Sequence, residues 1–295
     1  MSGEAGRGEA GRGEAVRGEA VRGGAGPVGA GPVGRAGRGE AGRAGTGPVG
    51  VVSPHMDDAA LSCGQMLSAI PGSHVVTVFS SGPKSVRPLP EWDKLSGSFK
   101  PGDDVMGLRH VEDDDAMAVV GAHGHRLDFW DEQYRAGRPV RLARFRPGAV
   151  AAARAKLADP DLEAAVVEEL RTVVANLDLE TWFVPLGLWH GDHKVTARAC
   201  LRLAREMPER RWVVYEELPY RWEVPTEVTA AKQRLENNGF TLEAAQFPSG
   251  PDNAKKHAMV RCYRSQLPCL GDRADVAAGG PEAFHILSHI LRSEP

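Results

Sequence analysis

Two short segments concentrate the side chains that can do chemistry: Ser53-Pro54-His55-Met56-Asp57-Asp58 and Leu188-Trp189-His190-Gly191-Asp192-His193. An imidazole nitrogen and a carboxylate oxygen are borderline-hard donors suited to zinc. His55 and Asp58 are spaced so that one tight loop can turn both toward a single point. Neighbouring aspartates do not readily face the same way, which leaves Asp57 for another task. Helix capping competes for both aspartates, because the type is favoured at helix starts; spacing alone leaves the two readings open. For the second segment the plain alternative is a helix cap with two surface histidines. Together the segments supply a His/Asp/His donor set, with carboxylates and an imidazole to spare. A catalytic zinc site needs three protein ligands and an open position for water.

Each segment sits where an apolar run ends and an amphipathic pattern begins. Residues 49–53 read as a buried strand and 58–70 as a helix, and 74–80 (HVVTVFS) read as a second strand. A helix follows over 105–120, a short strand near 127–130 and a helix over 162–177. Residues 181–186 (TWFVPL) form another strand, 193–206 a helix, and 211–216 (RWVVYE) a closing strand. Strands alternating with helices predict a Rossmann-like α/β domain, its mostly parallel sheet covered by helices on both faces. In such sheets ligands bind beyond the carboxyl ends of the strands, where both motifs fall. Long loops are expected over 81–104 and 131–160, rich in Pro, Gly, Arg and aromatics. Loops of that length in a compact domain usually serve a site.

Residues 1–47 are different material. Glu4, Glu9, Glu14 and Glu19 recur every five residues, as do Arg7, Arg12, Arg17 and Arg22. That period matches neither helix nor strand, and the segment lacks the apolar side chains to offset its ordering entropy. It reads as a disordered tail ahead of a single domain over 48–295. Gly24-Ala25-Gly26-Pro27-Val28-Gly29 within it matches G-x-G-x-x-G. No strand precedes this match, so a nucleotide site is not expected there.

The chain has 295 residues, 42% hydrophobic and 25% charged, with a formal net charge of -3. So small a charge recruits neither nucleic acid nor an anionic membrane surface. No stretch approaches the roughly 20 apolar residues of a membrane span, and the amino terminus lacks the apolar core of a secretory signal. The expected location is cytoplasmic. Cys63, Cys200, Cys262 and Cys269 form no CxxC pair and read as reduced, packed thiols. His74, His110, His123, His125, His257, His285 and His289 lack convergent partners in sequence and are read as ordinary surface or core histidines. Trp92, Trp130, Trp189 and Trp222 lie in or beside loops, where an indole packs into the core or stacks on a sugar ring.

These motifs, in this order, resemble the PIG-L/LmbE family of zinc-dependent N-acetylglucosaminyl deacetylases. His55-Met56-Asp57-Asp58 is similar to the family's H-P-D-D loop and His190-Gly191-Asp192-His193 to its H-x-D-H motif. Arg109 and Glu112 resemble its R-x-x-E helix, and Tyr263-Arg264-Ser265-Gln266 its Y-x-S-Q segment. The resemblance covers about residues 49–268. It implies Zn2+ held by His55, Asp58 and His193, with Asp57 as general base. His190 would stabilise the oxyanion or protonate the leaving amine, with Asp192 orienting its ring. Arg109 would grip a substrate hydroxyl or phosphate, or else pair with Asp113 to Asp115, an acidic run that reads as a solvated helix face. Met56 replaces the usual proline, and Ala59 stands where many members carry glutamate. The implied activity is hydrolysis of an N-acyl amide on a small amino-sugar glycoconjugate. An amidase of a sugar-thiol conjugate is a close variant, and a non-catalytic Rossmann-like binding protein with a structural metal loop is the alternative.

Overall fold

A computed structural model of the chain describes residues 47–135, 160–250 and 253–289. The tail expected over 1–47 lies outside the described residues except for its last residue, as does most of the loop expected over 131–160.

The chain alternates strand and helix through β1 (Gly50–Ser53), α1 (Asp58–Ala69), β2 (His74–Thr77), α2 (Glu91–Ser96), α3 (Val105–Val120) and β3 (His123–Arg126). It continues through α4 (Glu132–Arg135), α5 (Pro160–Leu177), β4 (Thr181–Pro185), α6 (Gly191–Glu206) and β5 (Arg211–Tyr215). The last part holds α7 (Tyr220–Glu223), α8 (Pro225–Asn237), β6 (Phe240–Ala245), α9 (Ala254–Cys262), α10 (Leu267–Leu270), α11 (Asp272–Gly279) and β7 (Phe284–His289).

Among the described residues seven strands form one sheet in the order β3-β2-β1-β4-β5-β7-β6. The first five are parallel; β7 runs antiparallel to both β5 and β6. Runs such as GVVS, HVVT and TWFVP are apolar at nearly every position because a parallel sheet is covered on both faces. Alternation along each strand then divides them between two cores. Val51, Val75, Phe183 and Val213 face Leu67, Met117 and Met259, which come from α1, α3 and α9. Val52, Val76, Val184 and Val214 face Val166, Leu170 and Leu203, from α5 and α6. Gly50 is needed on β1 because a Cβ there would lie 2.4 Å from the Trp182 ring on neighbouring β4.

Four sequence expectations change. The strand expected near 127–130 lies instead at His123–Arg126, paired in parallel with β2. Its polar residues suit an exposed edge, where the apolar run Leu127 to Trp130 carried no information about hydrogen bonding. The 81–104 loop contains α2, and the sheet gains β6 and β7 beyond residue 216. The helix expected over 193–206 begins at Gly191, so His193 sits inside its first turn.

This order places β1 beside β4 at the point where successive connections change direction, outward to β2 on one side and to β5 on the other. The crevice over the carboxyl ends of those two strands is where a doubly wound sheet binds its ligand.

Candidate metal centre and active site

The loops leaving β1 and β4 bring His55, Asp58, His190, Asp192 and His193 together in that crevice. Ser53, the last residue of β1, tightens the first loop: its hydroxyl donates to the His55 carbonyl and accepts from Ala59 N at 3.0 Å. Asp58 Oδ2 accepts from His55 N at 2.9 Å, lies 3.3 Å from His55 Nδ1, and faces His193 Nε2 across the crevice at 3.1 Å. On the second loop Gly187 takes φ +87°, and a Cβ there would meet Ala197 at 2.7 Å, so only glycine lets the chain turn from β4 into α6.

His55, Asp58 and His193 each present a donor atom within 4.8 Å of the others. Two ligands on one tetrahedral zinc lie about 3.3 Å apart, from bond lengths of about 2.0 Å; the 3.1 and 3.3 Å separations agree. His193 is fully buried, and its Nε2 has no hydrogen-bond partner among the described residues. Its other nitrogen, Nδ1, lies 3.3 Å from the buried Glu217 carboxylate, which turns Nε2 toward Asp58 and the crevice. The donor set therefore fits zinc.

The electrostatics couple the His55 and His193 imidazoles to facing carboxylates. Burial works against the His193 imidazolium, but Asp58 and Glu217 outweigh it and raise its pKa to about 9. The same contest, between burial and the Asp192 and Asp58 carboxylates, lifts His55 well above the ordinary imidazole range. Burial would raise Asp58 and Asp192; the facing histidines instead hold both well below the usual carboxylate range.

Asp57 occupies the N-cap position of α1, yet its side chain makes no cap hydrogen bond. Burial and then the neighbouring Asp58 push its carboxyl above the ordinary range, while Arg109 opposes them. His190, at the N-cap of α6, does act as a cap, its Nδ1 accepting from Asp192 N at 3.2 Å. Glu132 Oε2 lies 3.4 Å from the same nitrogen. An Asp192 carboxylate oxygen lies within 4.8 Å of a His190 ring nitrogen, and the same carboxylate also serves other groups. It bonds His55 Nε2 at 3.1 Å, accepts from Glu132 N at 2.9 Å and pairs with Arg135.

Arg109 is buried and turned away from the Asp113–Asp115 run, toward Asp57 and Asp131, whose Oδ2 lies 3.7 Å from it. Its Nε has no hydrogen-bond partner among the described residues. The run itself divides: Asp114 and Asp115 are exposed, whereas Asp113 is buried against Arg126 at 2.8 Å and Tyr263 at 2.9 Å. The remaining resemblance motifs brace the metal loop. Tyr263 donates to the Met56 carbonyl at 2.6 Å, and Glu112 accepts from Ser265 N and Oγ at 2.8 and 2.6 Å. Trp92 Nε1 donates to Gln266 Oε1, tying α2 to the same segment, while Trp130 and Trp222 stay exposed. Met56 and Ala59 are fully buried apolar residues, so neither departure places a charged group in the crevice. The four cysteines are free, Cys63 and Cys200 buried.

Sequence reasoning missed Glu217, Glu132 and Arg135. Glu217 follows β5, the next strand along the same sheet edge, and the pair Glu216-Glu217 after an apolar run was a usable signal. Glu132 and Arg135 carried none, because α4 reaches the crevice only through the fold. Also unread was the convergence of His74, His123 and His125, whose rings meet on β2 and β3.

Several solved structures of similar fold are of deacetylases. The zinc-inhibited form of teicoplanin deacetylase is 22% identical, with a TM-score of 0.63 over 83% of this chain and 100% of its own. A deacetylase–teicoplanin complex is 22% identical, at 0.61 over 82% of this chain and 98% of its own. An antimicrobial pseudoaglycone deacetylase is 22% identical, at 0.57 over 84% and 100%. No curated protein matches the sequence significantly. The model of the family described as PIG-L, GlcNAc-PI de-N-acetylase, matches residues 50–204, just over half of the 295 residues and both metal-loop segments. The chain belongs to the PIG-L family.

Proposed function

We propose that this protein is a zinc-dependent hydrolase that removes the N-acyl group, an acetyl group in the simplest case, from a glucosamine-type sugar in a glycoconjugate. The observation that carries the reading is the buried His55–Asp58–His193 donor set with the uncapped carboxylate of Asp57 next to it. Family membership supports a deacetylase, and the similar fold of a deacetylase solved with teicoplanin supports a conjugate rather than a free sugar.

The chemistry supplied by zinc at this position is Lewis acidity, which polarises the acyl carbonyl and lowers the pKa of water toward neutrality. Asp57 accepts the proton of the attacking water, and its raised pKa brings it nearer the operating pH, where general bases work best. Water oxygen bonds to the acyl carbon, the carbon–nitrogen bond breaks, and His190 delivers a proton to the departing nitrogen. An amine leaves poorly as an anion, so this proton is required. Asp192 orients His55, and Glu132 stands beside His190. Arg109 opposes the upward shift of the Asp57 carboxyl and offers its unpartnered Nε to a substrate oxygen.

The test is metal analysis of the purified protein alongside amine release from a panel of N-acyl glucosaminides. One equivalent of zinc with turnover on at least one member is expected. Stoichiometric zinc without turnover on any amide would overturn the reading in favour of a binding protein.

A further inference from the structure

His74 opens β2, and His123 opens the edge strand β3 directly opposite it in register. His125 lies two residues along β3, so alternation sends all three imidazoles to one face of the sheet edge. His74 Nδ1 and His125 Nε2 are 2.8 Å apart, with the rings stacked at 5.1 Å. The exposed His123 ring is centred 4.9 Å from that of His74. A recess of about 490 Å³ adjoins them, lined also by Asp114 and Met117. The group stands toward the amino-terminal side of the sheet, away from the carboxyl-end crevice that holds His55 and His193.

Three imidazoles so placed do little for stability. Two nitrogens share one proton, and the third ring lies tilted against His74 in water. Burial lowers the pKa of His74 and of His125, and the neighbouring rings lower it further, so both are neutral with lone pairs available. A histidine pair spaced by one residue on a strand, joined by a histidine from the adjacent strand, is a donor arrangement that neutral imidazole offers to zinc, copper and nickel. Asp114 is already paired with Arg126 at 2.5 Å, which leaves the imidazoles as the ligands.

We infer that His74, His125 and His123 form a second binding site for a borderline divalent cation, Zn2+, Cu2+ or Ni2+, independent of the centre in the crevice. The His74 and His125 nitrogens open by about 0.5 Å to reach the spacing of ligands on one ion. The proton they share moves to the far nitrogen of its ring, so no net proton is released. The donor atoms of the three rings do not all lie within 4.8 Å of one another, so His123 becomes a third ligand only when its exposed ring rotates inward, and solvent completes the shell.

Titration calorimetry of the full-length metal-free protein with Zn2+ tests this. Wild type should show two classes of site. His74→Gln with His125→Gln should remove the weaker class, leaving the tighter class and amine release unchanged. His55→Ala should do the converse, so a failure at the crevice is distinguishable from a failure here. His123→Gln, at an exposed position where misfolding is not a concern, should weaken the second class at least tenfold. With Cu2+, electron paramagnetic resonance should report imidazole nitrogen coupling that the double variant loses. Equal stoichiometry in wild type and the double variant would overturn the inference.

Discussion

Glu217 holds His193 from behind the metal position: its Oε1 lies 3.3 Å from His193 Nδ1 while accepting from Gly187 N at 2.7 Å and Leu188 N at 2.9 Å. Its Oε2 accepts from Leu186 N at 3.1 Å, and the carboxylate is fully buried. One side chain thus sets both the loop after β4 and the ring orientation of a proposed ligand. In Glu217→Gln an amide NH2 replaces one acceptor and faces backbone N–H groups. Metal affinity should fall about 10- to 100-fold, with about 1–3 kcal/mol of stability lost to unpaired donors. A competition titration and a thermal melt measure the two, and unchanged affinity would remove Glu217 from the ligand support.

Alanine at His55, Asp58 or His193 should lower bound zinc and activity together, because each contributes one donor to the same position. Metal content by mass spectrometry of the three purified variants is the measurement. Full zinc occupancy in all three would dismantle the assignment.

Asp57→Asn separates base from cap. The Asp57 side chain makes no cap bond, so the change should cost well under about 1 kcal/mol of stability. Asparagine cannot accept the water proton, so turnover should fall by about 10² to 10⁴ with zinc retained. Near-normal turnover would send the search for a base elsewhere.

Tyr263→Phe should loosen the metal loop from the rear. It deletes the hydroxyl that donates to the Met56 carbonyl at 2.6 Å in a buried setting, leaving that acceptor unpaired. A loss of about 1–3 kcal/mol is expected. Chemical denaturation checks it, and an unchanged midpoint would show the contact contributes nothing.

Away from the site, Glu216 should shape the acid limb of stability. Burial would raise its pKa, but hydrogen bonds from His285 at 2.8 Å and from Lys232 hold it at about 2, against an ordinary 4.5. A depressed carboxylate stabilises the fold above its unfolded pKa and loses that contribution as pH falls from about 4.5 toward 2. Glu216→Gln should therefore be less stable than wild type at pH 7, with the gap closing across that window. A gap that stays constant down to pH 2 would contradict the linkage.

How much of this was legible beforehand follows from the range of the forces involved. The buried parallel strands, the helices between them and the two motif loops are written in local patterns: β-branched apolar runs, 3.6-residue periodicity and His/Asp groups where strand gives way to helix. The donor set His55, Asp58 and His193 could be assembled from those motifs and a family resemblance, because both loops leave the same sheet edge. The edge strand β3 could not be, since its pairing with β2 is a long-range hydrogen-bond choice that HGHR does not announce. Nor could the partners of Asp192, Arg109 and Asp113, which are decided by what the fold sets opposite them: Asp192 bonds His55 across 137 residues, and Tyr263 reaches Met56 across 207. Sequence alone determined which residue types could bind a metal and on which strand ends they sit. Only the tertiary structure decided which nitrogen of each ring faces which carboxylate, because burial and long-range hydrogen bonding, absent from any local window, orient each ring and set its charge.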